Sequence, residues 1–368
     1  MKWPLVVSVT LFLPAVTMAQ ANVVNTSGIV AMTETAALPA AANPGAVGLD
    51  PGLPQRAAQA SKAAAKDTNA EVKRPKGEGS MVGYVEDATI GNKIRIRFDA
   101  GFNIPVPDSA EFFYAKCGCY KQLLPPSDPA FDPQAPGPGP GIPKNLNFQQ
   151  LYLTGEFAPS RRLSFFTEVP FRWIQPQGFI AGPSFSNFGG VSDVRAGVKL
   201  GMMVSDSTSI TFQFKSYFPS GDASQGLGTN HWSIEPALLA YHSLSPRWAV
   251  EAQVGDWHPI GGSRGVPITS SSGFAGDVFF YGIGPSVALY RGNHLRIAPV
   301  VELVGWHILS GLQTGTPQDA SGTNIVNMKF GSRWTIGDRN SIYVGYGRAL
   351  TDADWYRDIV RVEYRFLF

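Results

Sequence analysis

Apolar and polar side chains alternate at every second position in many short runs of this sequence, beginning near Lys93. In residues 163–174, for example, Phe165 and Phe171 fall on one face, and Glu168 and Arg172 fall on the other. Successive side chains of a β-strand point to opposite faces. The pattern therefore predicts strands that each have one apolar face and one polar face.

About twelve such runs follow one another, separated by turn residues. We predict strands at Lys93–Asn103, Leu146–Phe157, Leu163–Ile174, Val191–Val204, Ser209–Phe218, Trp232–Ser243, Trp248–Trp257, Val278–Tyr290, Leu295–Ile308, Asn324–Ile336, Ser341–Leu350 and Arg361–Phe368.

Short and long connections alternate between these strands. Brief turns such as residues 205–207 and 337–340 are followed by longer segments such as residues 219–231 and 258–277. Bacterial outer-membrane barrels have an even strand number, short periplasmic turns and long outer loops. A soluble sandwich would have a polar outer face, whereas the outer face predicted here is apolar. We therefore predict an all-β fold, a closed antiparallel transmembrane β-barrel of about 12 strands, over residues 92–368.

The first 91 residues have a different character. Residues 1–21 combine a positive start, an apolar run of about a dozen residues and small residues near Ala19 and Ala21, which predicts a signal peptide. Residues 22–91 are rich in Ala, Pro, Gly and Ser and form a low-complexity lead. This lead is either a disordered periplasmic tether or a segment that enters the lumen as a plug.

Composition agrees with a two-faced barrel. The mean hydropathy of −0.04 resembles that of a soluble protein, as expected when half of the strand residues face water. The formal net charge is only +2, so no nucleic-acid partner is expected. We expect outer-membrane lipid as the surroundings of the barrel. The aromatic residues Phe366 and Phe368 of the last strand are candidates for the signal read by the barrel-assembly machinery.

Three segments carry a family resemblance. Gly190–Lys199, Tyr217–Asp222 and Gly226–Thr229 resemble a family of bacterial outer-membrane proteins assigned to transport in the meta-pathway of phenol degradation. The resemblance extends from about Gly189 to the C-terminus and departs from the family at Ser220, where threonine is expected. It implies a β-barrel and the uptake of aromatic or other apolar molecules.

The same segments predict a rim loop at Pro219, Gly221, Asp222, Gly226 and Gly228. Proline ends the donation of ladder hydrogen bonds, Gly221 is free to take a positive φ, Asp222 can cap its own turn, and the later glycines allow a sharp return. The loop either shapes the outer mouth or selects the solute.

The inward face predicts a lumen with charges of both signs. The lumen-lining candidates are Arg95, Arg97, Arg172, Arg195, Lys199, Lys215, Glu235, Glu251, Glu302, Lys329, Arg333, Arg361, Glu363 and Arg365. These residues either pair with one another and close a narrow barrel or line a path for solutes, and a twelve-stranded barrel is wide enough for both. Among them, Arg195, Lys199, Lys215, Glu235 and Glu251 are the candidates for weak solute binding.

Enzymatic chemistry finds little support. The five histidines contain no pair at metal-ligand spacing, and no hydrolase or phosphate-binding motif occurs. The nearest hydrolase arrangement would combine His258 or His307 with Asp256 or Ser310. Cys117 and Cys119 lie in the first long connection, as a strained disulfide or two unpaired thiols. That connection, rich in proline, is either an outer flap or a segment folded back into the lumen.

These patterns together predict a bacterial cell outer-membrane channel or transporter that admits small solutes passively, without catalytic residues, cofactor or metal. The alternatives are a structural or adhesive barrel with a filled lumen and a surface hydrolase.

Overall fold

The computed structural model describes residues 79–104, 142–181, 184–229, 231–260, 276–311 and 320–368, all within one compact unit, Val72–Phe368. The predictions for residues 1–78, and those for Cys117 and Cys119 in the first long connection, lie outside the described residues.

Twelve antiparallel strands form a closed barrel. They are β1 (Lys93–Ile104), β2 (Ile142–Ser160), β3 (Leu163–Ala181), β4 (Phe188–Val191 and Arg195–Val204), β5 (Thr208–Tyr217), β6 (Trp232–Ser243), β7 (Trp248–Ile260), β8 (Val278–Val287 and Tyr290–Arg291), β9 (Leu295–Ile308), β10 (Asn324–Ile336), β11 (Asn340–Ala349) and β12 (Asp358–Leu367). β4 and β8 are each interrupted, and both pieces of each pair with the same neighbouring strand.

Each strand pairs with its neighbours in sequence, and β12 pairs with β1 to close the ring. In this closing register Lys93 lies opposite Leu367, and Phe102 lies opposite Asp358. Since every strand has two partners, the sheet has no free edge, which is the condition for placing strands in hydrocarbon. The predicted fold class and strand number are confirmed.

The two faces of the wall are inverted relative to a soluble protein. On β1, Ile94, Ile96 and Phe98 are 47%, 42% and 38% exposed. Lys93 and Asp99, which flank these three residues on the opposite face, are almost fully buried. The same alternation recurs around the barrel, with aromatic and aliphatic side chains outside and charged side chains inside. This distribution suits lipid outside the wall and polar surroundings within it.

Short turns and longer connections gather at opposite ends of the barrel. The short turns are residues 161–162, 205–207, 244–247, 292–294 and 337–339, and the end they occupy is called the short-turn end. The longer connections occupy the other end, called the long-loop end. Strand directions alternate around an antiparallel ring, so every second connection must return to the same end.

Several strands run further than the alternation predicts. β2 and β3 extend to Ile142 and Ala181, so a hairpin built partly from Pro and Gln residues continues past the predicted ends. The alternation of apolar and polar residues fades there. Pairing continues without it, because ladder hydrogen bonds join backbone groups and do not require an apolar face. β12 likewise begins at Asp358 rather than Arg361. None of the helices in the described ranges is long and apolar enough to cross a membrane.

Candidate lumen and rim site

The predicted lumen residues lie on the inner face of the wall. All except Arg95 are at most 8% exposed, and the side chain of Arg95 is 12% exposed. The buried members of the set are Arg97, Arg172, Arg195, Lys199, Lys215, Glu235, Glu251, Glu302, Lys329, Arg333, Arg361, Glu363 and Arg365. Buried ions are costly unless they are paired, so their partners decide what the lumen can do.

The lumen is occupied by the chain itself. Residues 79–92, called the plug segment, enter at the short-turn end, where Asn92 precedes β1 and its Oδ1 accepts a hydrogen bond from Ala158 N at 2.7 Å. The segment rises to Tyr84–Glu86 and returns, so that Gly79 and Ser80 lie beside the short turn at Asp338. Residues 79–91 thus lie in the barrel interior, which is the plug alternative left open for the lead.

Two wall carboxylates hold the rising half of the plug segment. Glu302 accepts backbone hydrogen bonds from Gly83, Tyr84 and Val85 at 2.9, 2.8 and 2.7 Å. Glu251 accepts from Met81 N at 2.7 Å and, more weakly, from the next amide. A buried segment without a strand partner must satisfy its amides elsewhere, and these carboxylates do so.

Wall cations satisfy the carbonyl groups of the same segment. Arg333 donates to the carbonyl oxygens of Met81 and Val82 at 3.1 and 2.7 Å. Arg361 donates to Gly83 O at 2.6 Å, and Lys199 donates to Asp87 O at 2.8 Å. The backbone of the plug segment is thus held at several points, and its side chains add ion pairs of Glu86 with Lys215 and of Asp87 with Lys93 and Arg365.

Several lumen charges also form ion pairs within the wall. Arg195 lies 2.9 Å from Glu168, and Glu363 lies 2.9 Å from Arg333 and 3.0 Å from Arg365. Such pairing is the first of the two roles predicted for these charges. One region of the lumen also contains open space.

That space, called the tip cavity, lies on the long-loop side of the plug segment and has a volume of about 110 Å³. Aromatic side chains form much of its lining, namely Tyr84, Tyr217, Trp257, Phe280 and Trp306. The charged groups of its lining are Arg97, Arg195, Lys215 and Arg361 with Glu86 and Glu235.

Cations of the tip cavity lie over aromatic rings. The guanidinium of Arg97 is 3.6 Å from the ring centre of Tyr152, and that of Arg195 is 4.9 Å from the ring centre of Tyr217. Arg361 lies 4.1 Å from the ring centre of Tyr84. Cation–π attraction in these contacts positions the cations. The walls of the cavity are therefore flat and partly charged.

Of the five residues suggested for solute binding, three line this cavity. Arg195, Lys215 and Glu235 do so, whereas Lys199 and Glu251 contact the plug segment instead. Tyr84 and Glu86 are not among the predicted lumen residues, because both lie in the lead, for which a tether and a plug were both left open. The available signal was the change of composition after Gly79, where the Ala-rich and Pro-rich sequence gives way to Met81-Val82 and Tyr84-Val85.

The rim motif forms a compact loop between β5 and β6. Asp193 Oδ1 accepts from Gly221 N at 3.0 Å, and its Oδ2 accepts from both Thr229 N and Thr229 Oγ1 at 2.8 Å. Ser220 Oγ accepts from Val194 N at 2.8 Å, so the hydroxyl retained at this position is used. The three segments of the resemblance therefore meet in space around one carboxylate, called the Asp193 latch.

The glycines of this loop are required for different structural reasons. Asp222 caps the 3-10 helix Ala223–Gln225 by accepting from Ser224 N, and Gly226 follows it at φ 73°. Gly221 does not have the predicted positive φ. A Cβ at Gly221 would lie 2.5 Å from Leu227 O, and one at Gly228 would lie 2.4 Å from Asp193 Oδ1. Close approach of backbones, rather than a special dihedral angle, requires glycine at these two positions.

The imagined hydrolase arrangement does not have the geometry of a catalytic relay. His258 Nδ1 lies 2.5 Å from Asp277 Oδ1, and Asp277 N donates to Ser310 Oγ at 2.9 Å. A relay needs the histidine between the nucleophile and the carboxylate, whereas here Asp277 lies between them. His307 instead contacts Asn324 Oδ1 at 2.7 Å.

Asp256, His258 and Asp277 place potential metal-ligand atoms within 4.8 Å of one another. The three are partly or largely exposed, and His258 and Asp277 are already paired.

Comparison with solved structures found matches of low sequence identity. An outer membrane channel from Pseudomonas putida F1 is 14% identical, with 78% of this chain and 99% of that chain covered, at a TM-score of 0.48. The NanC porin is 8% identical, covering 76% of this chain and 100% of its own, at 0.39. The β domain of the Bordetella autotransporter BrkA is 11% identical with the same coverages, at 0.43. The fold assignment itself rests on the strand pairing of this chain.

No curated protein matches this chain. Residues 145–255 match the model of the family described as "Putative MetA-pathway of phenol degradation". This range contains all three segments of the resemblance and the whole Asp193 latch, although it begins earlier and ends earlier than predicted. The predicted resemblance to that family of barrel proteins is confirmed over these residues.

Proposed function

We propose that this protein is an outer-membrane channel through which small solutes diffuse passively, and that the plug segment forms the narrowest point of its path. The observation that carries the proposal is the tip cavity, a space with aromatic and charged walls inside a closed barrel whose outer face is apolar. Open polar space inside a lipid-facing barrel is the arrangement that channels use.

The proposed path leads from the long-loop end, through the tip cavity, to the plug segment. Aromatic or apolar compounds are the proposed solutes, since the family match points to phenol degradation and rings form much of the cavity lining. We also propose outer-membrane lipid around the barrel and recognition of Phe366 and Phe368 by the assembly machinery. Catalysis is not part of the proposal, given the order of Ser310, Asp277 and His258.

The second candidate is a structural or adhesive barrel whose lumen stays filled. The backbone docking of residues 81–85 on Glu251, Glu302 and Arg333 favours it, because that docking leaves few polar groups for a solute.

Single-channel recording in planar lipid bilayers separates the two. We expect discrete conductance steps from the full chain and larger steps from a variant that lacks residues 79–91. Both proteins are first shown to be folded by a heat-dependent shift on a denaturing gel. A folded variant that conducts no ions would overturn the channel and support the filled barrel.

A further inference from the structure

We infer that the tip cavity binds aromatic carboxylates, and that the bound carboxylate takes the place of Glu86 beside Lys215 and so releases the Glu86 side chain of the plug segment. This inference rests on the proposed channel function and names its ligand class.

Glu86 is the exchangeable carboxylate of the cavity. It comes from the plug segment rather than from a strand, and its side chain is 21% exposed, against 8% for Lys215 and 10% for Glu235. Its Oε1 lies 3.1 Å from Lys215 Nζ, and its Oε2 lies 3.8 Å from Arg95. Glu235, at 2.8 Å from the same ammonium, is fixed in β6 and cannot leave.

An arriving carboxylate keeps the charge balance of the site. Lys215 would exchange one carboxylate partner for another, so no buried charge is left without a counter-ion during the exchange. This matters because removing one partner of a buried pair is costly, whereas replacing it in kind is not. A neutral ligand cannot make this exchange, and it would have to displace Glu86 without compensation.

The aromatic lining favours a ligand whose carboxylate is attached to an aromatic ring. Tyr217, Trp257, Phe280 and Trp306 lie near the long-loop ends of their strands and surround the space beside Lys215. Rings pack favourably against rings in offset or edge arrangements. A small aliphatic acid would gain the ion pair but not this packing, so an aromatic acid has the advantage.

Binding is coupled to the plug through the backbone of Glu86. Its amide donates to Gln253 Oε1 at 2.7 Å, and the neighbouring residues Tyr84 and Val85 remain held by Glu302. Loss of the Lys215 contact therefore frees the side chain of Glu86 while the backbone of the segment stays docked. The solute would then loosen a side chain of the plug segment, which is the narrowest point of its own path.

The test is isothermal titration of the detergent-solubilised full chain with benzoate, with benzamide as the neutral isostere and acetate as the small acid. We expect benzoate to bind at least tenfold more tightly than either. Replacement of Glu86→Gln removes the competing carboxylate and is expected to tighten benzoate binding about tenfold. Asp206→Asn, in an exposed turn, is the matched charge control and is expected to change nothing.

Equal binding of benzoate and acetate would overturn the aromatic selection. Unchanged or weaker benzoate binding in the folded Glu86→Gln variant would overturn the exchange at Lys215. Conductance of the same preparation without benzoate reports on the channel separately. Conductance with no benzoate binding overturns only this inference, whereas failure of both measurements overturns the proposed function as well.

Discussion

Arg361 of β12 and Asp99 of β1 face each other across the seam where the last strand pairs with the first, and two 2.7 Å hydrogen bonds join their side chains. Arg361 also donates to Gly83 O of the plug segment. One arginine therefore links the closure of the barrel to the docking of the segment that fills it.

Replacing Asp99→Asn is expected to destabilise the barrel by about 3 kcal/mol, because Arg361 would remain buried without its main counter-ion. Urea unfolding in detergent micelles, followed by tryptophan fluorescence, measures the change. The control is Asp206→Asn, whose partner Arg161 lies 3.9 Å away in an exposed pair. Its expected effect is within about 0.5 kcal/mol. Equal effects of both substitutions would contradict the role assigned to the seam.

Gly83→Ala is expected to loosen the plug segment without unfolding the barrel. A Cβ at this position would lie 2.1 Å from a ring carbon of Tyr343, whose hydroxyl donates to Glu302. Such overpacking costs about 2 kcal/mol. Hydrogen exchange measured by mass spectrometry should become faster in residues 79–92 and remain unchanged in the strands.

The matched substitution is Gly155→Ala on β2, where an added Cβ meets nothing within 4 Å. We expect it to leave exchange in the plug segment as it is. If Gly83→Ala and Gly155→Ala gave the same exchange pattern, the contact with Tyr343 would not hold the segment.

Asp193→Ala is expected to release the rim loop locally. The substitution removes the acceptor of three hydrogen bonds, from Gly221 N and from the amide and hydroxyl of Thr229. Loss of acceptors for buried donors costs about 1 to 3 kcal/mol each.

The amides of Gly221 and Thr229 should exchange at least tenfold faster in this variant. Asp222→Ala removes only the cap of the short helix and is the comparison, with little change expected at Thr229. Slow exchange at both amides in Asp193→Ala would show that the loop does not depend on the latch.

Val344→Arg tests the outer face. Val344 lies in the middle of β11 and is 54% exposed on the surface proposed to meet lipid. A charged side chain at the bilayer midplane costs about 2 to 4 kcal/mol, and the cost falls to about 0 to 1 near the interface.

The control for this site is Leu350→Arg, just beyond the end of the same strand, where the side chain is 56% exposed. Folding into phospholipid vesicles, followed by gel mobility, should be impaired for Val344→Arg and nearly normal for Leu350→Arg. Similar folding yields for the two variants would argue against a lipid-facing wall at Val344.

Much of the rim loop was readable from the sequence. The capping by Asp222 follows from local turn chemistry, whereas the left-handed glycine is Gly226 rather than the predicted Gly221. The role of Asp193 did not, because its partners Gly221 and Thr229 lie 28 and 36 residues away. A contact over that distance depends on which strands are neighbours, and a single sequence does not state this.

The sequence by itself determined the barrel. Alternation with period two separates an apolar face from a charged face, and the spacing of turns sets the number and direction of the strands, because both are local properties of the chain. Only the tertiary structure decided what fills the lumen. Residues 79–92 dock through backbone amides and carbonyls on Glu251, Glu302, Arg333 and Arg361. Every residue carries those backbone groups, and the wall partners of the segment's own charges, Lys215 for Glu86 and Arg365 for Asp87, lie 129 and 278 residues away, so the sequence left a plug and a tether both open.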